Sequence, residues 1–322
     1  MRAKKILTVL IPTYNRSKQL IKNLSMLSVF IRKNDLEDFV TILISDNCSS
    51  DNTHIKVQKF IEDNNDLKII LFKQKENIGL EKNALFVLEK AKTDYVMYLG
   101  DDDYIEEEYL VKVIKTLKDD TEKRITCIIP NLKGVDCETG EIAGERDKGI
   151  KSRSYKPSFM SCLENSWRGH QLSGIVLYRD NLYEEYVKKN VHNIYPFIFF
   201  VAYSSLMGKL LHLIDYPVKV SIVPQSQKDW GYKDDGLILE IFDNYKCLYN
   251  QKKDIFKRSL LELKLLKVQR WRYLMYIKSG KKDFTRAIVN IIISPNTSVL
   301  TKVFFPFLVS LLFFRKMLRS IF

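Results

Sequence analysis

Three consecutive carboxylates, Asp101, Asp102 and Asp103, close a run that begins Tyr95-Val96-Met97-Tyr98-Leu99-Gly100. Charges of one sign at that density repel unless a cation sits among them. A hard divalent ion, shared between carboxylates and the phosphates of a substrate, is one remedy. The plainer alternative is an acidic turn before a capped helix, since Asp suits an N-cap and Glu106, Glu107 and Glu108 suit a first helical turn. Other polar segments bear on the choice. Pro12-Thr13-Tyr14-Asn15-Arg16 offers backbone donors, a hydroxyl, an aromatic face and a guanidinium to a nucleotide. Asp46 can accept from a base N–H or a ribose hydroxyl, and Lys82, one helical turn beyond Gly79, can approach a base or a phosphate. Taken singly, each of these is more often a cap or a solvated loop residue. The chain has no G-x-x-x-x-G-K-[ST] and no G-x-G-x-x-G, which weighs against a P-loop kinase and a dinucleotide site.

The elements that must carry these residues are set by the apolar pattern. Residues 5–11 read as a buried strand, and Ser17 can cap a helix with Leu20, Leu24, Leu27 and Phe30 at helical spacing. Strands are expected again over 39–45, 67–73 and 95–99, with helices over 53–63 and 80–92 between them. Strand and helix alternate four times in about a hundred residues, the pattern of a parallel sheet with ligands at the strands' carboxyl ends. The acidic run and the loops after the first two strands then share one edge. Further along, 125–129 and 172–178 read as strands, 131–158 as a loop or hairpin over the site, and 194–213 as a core helix.

The 322 residues suffice for one large domain and an appendage. The expected division is 1–235, an α/β domain, and 236–322, a helical region with helices over 237–249 and 254–278. Five cysteines, odd in number and without metal-ligand spacing, fit reduced thiols in a cytosolic compartment. Four histidines without an HxxxH or HxH group weigh against a histidine-built metal site. The basic start reads as a first strand, not a signal peptide. Net charge is +13, and residues 251–322 hold 16 Lys+Arg against 3 Asp+Glu, so the other 250 residues balance. Such a tail seeks a polyanion, nucleic acid or an anionic membrane. Residues 287–314 are apolar but divided by Pro295, Asn296, Lys302 and Pro306, and the longest clean run, 303–314, is too short to cross a bilayer. With Arg315, Lys316 and Arg319 beside it, it suits a segment lying in the membrane interface, the alternative being a helix packed on the domain or in a homodimer.

The order of the motifs carries a resemblance. Ile11-Pro-Thr-Tyr-Asn15, Asp46-Asn-Cys-Ser-Ser-Asp51-Asn-Thr53, Asn77-x-Gly79 with Lys82-Asn83, and Leu99-Gly-Asp-Asp-Asp103 closely resemble the family 2 glycosyltransferases of GT-A fold, over about residues 6–115. The resemblance implies an α/β, Rossmann-like, mostly parallel sheet flanked by helices. It also implies transfer of a sugar from a nucleotide-sugar donor, usually with inversion and with Mg²⁺ or Mn²⁺. By it, Pro12, Thr13, Tyr14, Asn15 and Arg16 line the nucleotide pocket with Gly79, Lys82, Asn83 and Asp101, and Asp46 bonds the base. Lys82 stands where the family often has arginine. The family's acidic motif commonly reads Leu-Asp-x-Asp-Asp, and Gly100 replaces its first acid. In that register Asp102 is the metal ligand, Asp101 restores the lost carboxylate, and Asp103 helps to hold the site. The Leu-Gly-Asp-Asp-Asp variant looks like the abequosyltransferase-type branch of bacterial capsule and O-antigen assembly.

A general base must take the acceptor's proton. The Glu-Asp pair that many relatives use is missing from its expected place. The nearest candidates are His192 and Asp229, Asp234 or Asp235, and Trp230 can stack on a sugar; against these stand an Asn-rich turn and a turn before a capped helix. Tail and resemblance together imply a polyprenyl-diphosphate-linked saccharide acceptor at the cytoplasmic, inner face of the cell membrane, with the protein peripheral there. Three rivals remain. A nucleotidyltransferase wants a glycine-rich first loop, which Pro12–Arg16 is not. A catalytically impaired, membrane-associated nucleotide-sugar-binding module stays open because of Gly100. A nucleic-acid binder would show salt-sensitive DNA binding, and no nucleic-acid partner is expected.

Overall fold

The computed structural model describes residues 5–136, 139–222 and 234–319, without the side chains of 313–319. Its first half is built from β1 (Leu7–Thr13), α1 (Ser17–Lys33), β2 (Val40–Asp46), α2 (Thr53–Asp63), β3 (Ile69–Lys73), α3 (Leu80–Lys90), β4 (Tyr95–Tyr98) and α4 (Glu107–Asp119). The four strands are mutually parallel in the order β3-β2-β1-β4. Every residue of β1, β2 and β4 is buried, which is why they read as near-continuous apolar runs rather than alternating ones. The helices turn apolar stripes to them: Leu20, Leu24, Leu27 and Ile31 from α1, and Leu110, Val113, Ile114 and Leu117 from α4, join one core. Parallel register aligns the strand ends. Thr13 lies opposite Asp46, and the Leu99 amide donates to the Leu10 carbonyl at 3.0 Å.

The sheet continues through β5 (Ile125–Asp136), β6 (Ile142–Glu145), β7 (Arg153–Tyr155), α5 (Phe159–Asn165), β8 (Val176–Tyr178), α6 (Leu182–Lys188), α7 (Pro196–Met207) and β9 (Lys209–Ile222). Beyond β4 the order is β8-β5-β9-β7, with β6 on β5, and here directions are mixed: β8 is antiparallel to both β4 and β5, while β5 and β9 are parallel. The core helix expected over 194–213 is corrected. Helix α7 stops at Met207, and His212 and Leu213 lie in β9. The break is at Gly208, where a side chain would run into Thr126 and, at 2.8 Å, the Arg124 carbonyl. The chain there is pressed against β5 and can only continue as its neighbour. The expected loop or hairpin over 131–158 is a hairpin, β5 returning as β6.

A buried ionic cluster pins the segment between β6 and β7. Asp147 accepts from Arg168 through Nε (3.1 Å) and Nη2 (2.9 Å), from Arg146 Nε (2.7 Å), and stands 3.3 Å from His212 Nε2. Burial alone would raise the Asp147 pKa, but the bond from His212 and the two guanidiniums outweigh it and hold the carboxyl well below the usual range. Burial lowers the His212 pKa against the pull of the same carboxylate.

The chain divides into two compact units, Met1–Lys188 with Phe200–Pro224, and Lys189–Phe199 with Gln225–Phe322. The second is helical: α8 (Ile238–Leu248), α9 (Ile255–Val268), α10 (Trp271–Leu274), α11 (Lys281–Ile293) and α12 (Val299–Arg319). The single helix expected over 254–278 is broken after Val268. Arg272 is drawn inside the unit, where its guanidinium donates to the Gln269 side chain, the Tyr195 hydroxyl (3.1 Å) and the Gly236 carbonyl (3.0 Å). Gly236 has φ +67°, and any side chain on it would strike the Arg272 backbone. Pro295 separates α11 from α12 as expected, but Pro306 does not divide α12. It lies on an exposed side, so the carbonyl it leaves without a donor can meet water. No helix among the described residues is long and apolar enough to cross a membrane.

Candidate active site

The carboxyl ends of β1, β2 and β4 gather most of the singled-out residues at one edge of the first unit. Leu99 and Gly100 leave β4, and Asp101 and Asp102 form a turn. Each carboxylate has its own surroundings. The Thr13 hydroxyl, at the end of β1, donates to Asp101 Oδ2 at 2.6 Å. Asp102 keeps 23% of its side chain exposed and stands 3.9 Å from the Arg16 guanidinium, so loop one and the acidic turn face each other. Asp103 is buried. Its Oδ2 accepts from the Ser173 hydroxyl and its Oδ1 from the Ser221 amide at 2.9 Å. The Ser221 hydroxyl donates to the Asp102 carbonyl, and Asn23 of α1 donates to the carbonyls of Gly100 (3.0 Å) and Asp103 (2.8 Å). Asp103 is therefore a brace, and Asp102 is the carboxylate that opens outward.

Burial first, and the Asp102 carboxylate second, push Asp101 and Asp103 up to about 7. The structure also accounts for Gly100. A Cβ there would lie 2.9 Å from Asp103 Oδ2 and 3.2 Å from Ser173 Oγ, and the Gly100 amide donates to that same Ser173 oxygen at 2.9 Å. An acid at position 100 would have to displace the brace, whereas Asp101 already supplies a carboxylate one residue on.

The loops after β1 and β2 interlock. Asn15, at φ +52°, donates from its amide to Ser49 Oγ (2.9 Å), and its side-chain oxygen accepts from the Ser50 amide (2.8 Å). Asp51 takes the Thr53 amide at 2.9 Å. Pro12 and Thr13 are buried, Tyr14 and Arg16 partly so, and Asn15 is exposed. Asp46 is fully buried. Its Oδ1 accepts from the Ser49 amide (3.0 Å), but among the described residues Oδ2 has no hydrogen-bond partner, lying 3.7 Å from His54 Nδ1. A buried acceptor without a donor is costly, and the N–H of a ligand would satisfy it. Asn47 links this edge to Asn77 (2.8 Å) and the Ile78 amide (2.9 Å), ahead of Gly79, which starts α3 at φ +82°. Lys82 is exposed on α3. Asn83 instead points inward and clamps Ser45 through two bonds, to its hydroxyl (2.6 Å) and its carbonyl (3.0 Å).

The base candidates belong to the second unit by sequence. His192 is exposed and lines a cavity of about 380 Å³ in the second unit with Lys189, Asp243, Lys246 and Cys247. Asp235 is buried and spent on the start of α8, accepting from the amides of Leu237 (3.3 Å) and Leu239 (2.8 Å). Asp229 and Trp230 lie outside the described residues. Three residues that hold the acidic turn were missed by motif reading. Asn23 left a signal, a polar residue on the apolar face of α1 beside Leu20, Leu24 and Leu27. Ser173 and Ser221 left none, since nothing local to them marks a partner 70 or 118 residues away.

Hard oxygen donors of this kind suit Mg²⁺ or Mn²⁺ rather than a soft metal. Among the described residues no group of three His, Cys, Asp or Glu side chains is arranged to hold an ion unaided. An ion here would thus need ligand oxygens beside Asp102, the usual situation for Mg²⁺ at a substrate's phosphates.

Comparison with known proteins gives concordant results. The glycosyl transferase family 2 model matches residues 8–186. Abequosyltransferase RfbV of Salmonella typhimurium is 25% identical over 288 residues, 83% of this chain and 82% of that protein. Staphylococcus aureus TarS 1-349, in complex with UDP-GlcNAc, superposes with a TM-score of 0.63 at 18% identity, covering 89% of this chain and 80% of that one. Mannosyltransferase PcManGT of Pyrobaculum calidifontis, in complex with GDP-Man and Mn²⁺, superposes at 0.55 and 13% identity, covering 96% and 80%. The arrangement is the α/β GT-A fold expected from the sequence.

Proposed function

Because this chain belongs to glycosyl transferase family 2 and is a glycosyltransferase, we propose that it moves a sugar from a nucleotide-sugar donor, with inversion, onto a lipid-linked saccharide in bacterial surface-polysaccharide synthesis. The observation that carries this reading is the outward-facing Asp102 at the tip of β4, opposite Arg16 and beside Asp101 tied to Thr13. The likeness to abequosyltransferase RfbV over most of both chains supports the pathway class.

The roles come from the chemistry of each group. Asp46 Oδ2, the acceptor without a donor, takes an N–H of the base. Asn15, held at positive φ by its bonds to Ser49 and Ser50, keeps the two loops in one conformation around the nucleoside. Arg16 draws the diphosphate toward the acidic turn as a forked donor. A divalent ion, Mg²⁺ or Mn²⁺, held by Asp102 with Asp101 and braced by Asp103, would offset the charge that develops on the departing nucleoside diphosphate. Asn23, Ser173 and Ser221 fix the turn so that Asp102 does not have to be reoriented during the reaction. The base that deprotonates the acceptor hydroxyl must approach from the opposite face of the sugar for inversion. With Asp235 engaged at the start of α8, Asp229, Asp234 and His192 are the candidates we retain, with Trp230 as the sugar-stacking residue. The first unit carries the donor chemistry, and the helical residues 236–322 of the second hold the protein on the inner face of the membrane, where a polyprenyl-diphosphate acceptor is found.

The test is release of nucleoside diphosphate from a panel of nucleotide sugars with Mn²⁺, by the native protein and Asp102→Ala. Turnover of one donor that falls by about two to three orders of magnitude in the variant is expected. Turnover that survives the substitution refutes the role of Asp102. No turnover by either protein, with nucleotide still bound, favours the impaired binding module.

A further inference from the structure

Helix α12 turns its apolar side outward. Thr301 and Phe305 face the unit's interior, Phe305 with its ring edge-on to Tyr273 at 5.2 Å. The opposite side carries Val299, Val303, Phe307 and Leu311 at four-residue spacing, with Phe304 beside them. Val299 is 62% exposed, Phe307 is 70% exposed, and the other three are about half exposed. A helix packed on a soluble domain shows the reverse polarity, and a continuous apolar stripe of this kind marks an interaction surface. Helix α11 presents a related face, where Lys282 and Arg286 are followed at helical spacing by Val289 and Ile293, all exposed.

We propose that this side of α12 is the surface by which the second unit lies on an anionic lipid bilayer, with Val299, Val303, Phe304, Phe307 and Leu311 in the acyl boundary and the helix parallel to the membrane plane. The inference rests on the reading of a membrane-borne acceptor and deepens it by assigning the residues that meet lipid. Charge decides between occupants. Residues 251–322 carry 16 Lys+Arg and 3 Asp+Glu. Of those acids, Glu262 is buried and bonded by Arg258 (2.7 Å), and Asp283 stands 3.9 Å from Arg286. A second copy docking on the same stripe would bring two such cationic segments together against their mutual repulsion. A nucleic acid would satisfy the cations but leave the Val, Leu and Phe stripe exposed to water. An anionic membrane satisfies both, with acyl chains for the stripe and headgroups for the cations of the segment, among them Lys282 and Arg286 of α11 and Lys302 of α12. Crossing is ruled out for the described helices by length and polarity, so the docking is in-plane.

The experiment is co-sedimentation of the full chain with vesicles of phosphatidylcholine, with or without phosphatidylglycerol, for the native protein and the Phe304→Ser/Phe307→Ser double variant. Both side chains are exposed, so the variant should keep the native unfolding midpoint and the native rate of nucleoside diphosphate release in solution. Expected are native binding that needs phosphatidylglycerol and weakens in salt, and at least tenfold weaker partitioning of the variant. Equal partitioning of both proteins, or native protein that ignores anionic vesicles, overturns the proposal. So does a lipid-free dimer, seen by light scattering, that the double variant dissolves, because the stripe would then belong to a second copy. Native vesicle binding that the variant loses, without sugar transfer to any lipid-linked acceptor, upholds the surface and sinks the acceptor reading instead.

Discussion

Restoring the acid that relatives commonly carry at position 100 should damage this protein. A Cβ at Gly100 falls 2.9 Å from Asp103 Oδ2 and 3.2 Å from Ser173 Oγ. A flexible neighbour could give way cheaply, but Asp103 is tied to Ser173 and to the Ser221 amide, and Ser173 also receives the Gly100 amide. Gly100→Ala therefore costs the strain of overpacking, about 1–3 kcal/mol, with roughly 1 kcal/mol more if the amide bond to Ser173 breaks. Gly100→Asp adds a fourth carboxylate beside two that are already pushed up to about 7 by burial and Asp102. Its cost should exceed that of the alanine variant at pH 8 and approach it at pH 6, where protonation relieves the repulsion. Urea unfolding of the three proteins at both pH values measures this. Native-like stability of Gly100→Asp at pH 8, with donor turnover equal to or above native, would refute the argument that Asp101 has taken over from the missing acid.

Three further outcomes are expected at other contacts of the structure. Asn23→Leu leaves the Gly100 and Asp103 carbonyls without their side-chain donor, so stability should fall by about 1–3 kcal/mol and donor turnover should fall with it, read by urea unfolding and diphosphate release. Acid should unfold the protein through Asp147 and His212. His212 has a lowered pKa in the folded state, so its contribution is lost as pH drops below the unfolded value of 6.5; Asp147 is held low, so its contribution is present above 3.8 and is lost as pH falls below that. A His212→Gln variant with the same slope of stability between pH 7 and pH 5 as the native chain would contradict this. Asp46→Ala should abolish the rise in unfolding midpoint that the preferred nucleotide gives the native protein, since it removes the acceptor assigned to the base.

The first half of the fold was legible because its signals are local. Its four strands and the helices between them announce themselves by apolar runs, and helix 53–63 matches to the residue, but Ser17 is the first residue of α1 rather than its cap, which is Arg16. The second half depends on non-local pairing. The strands expected over 125–129 and 172–178 are present, but the second is cut to the three residues of β8 that find partners in β4 and β5, and the switch from α7 to β9 hangs on Gly208 meeting Thr126. At the site, motif order brought Thr13, Arg16, Asp46 and the acidic turn to one edge. It did not foresee that Asn83 would serve as a clamp on Ser45 rather than face a ligand, and it left open, between a base and a turn before a capped helix, the Asp235 that is engaged at the start of α8. Both are polar residues whose partners are backbone or buried hydroxyl groups, which no spacing in the chain advertises.

The proposed chemistry depends most on where a cation binds. Crystals of the full chain grown with manganese and the preferred nucleoside diphosphate, with anomalous diffraction collected at the manganese edge, locate it directly. One strong peak between the Asp102 carboxylate and the diphosphate oxygens, absent in Asp102→Ala, is the expected result; a nucleotide seated at Asp46 with its manganese peak remote from the acidic turn would contradict it.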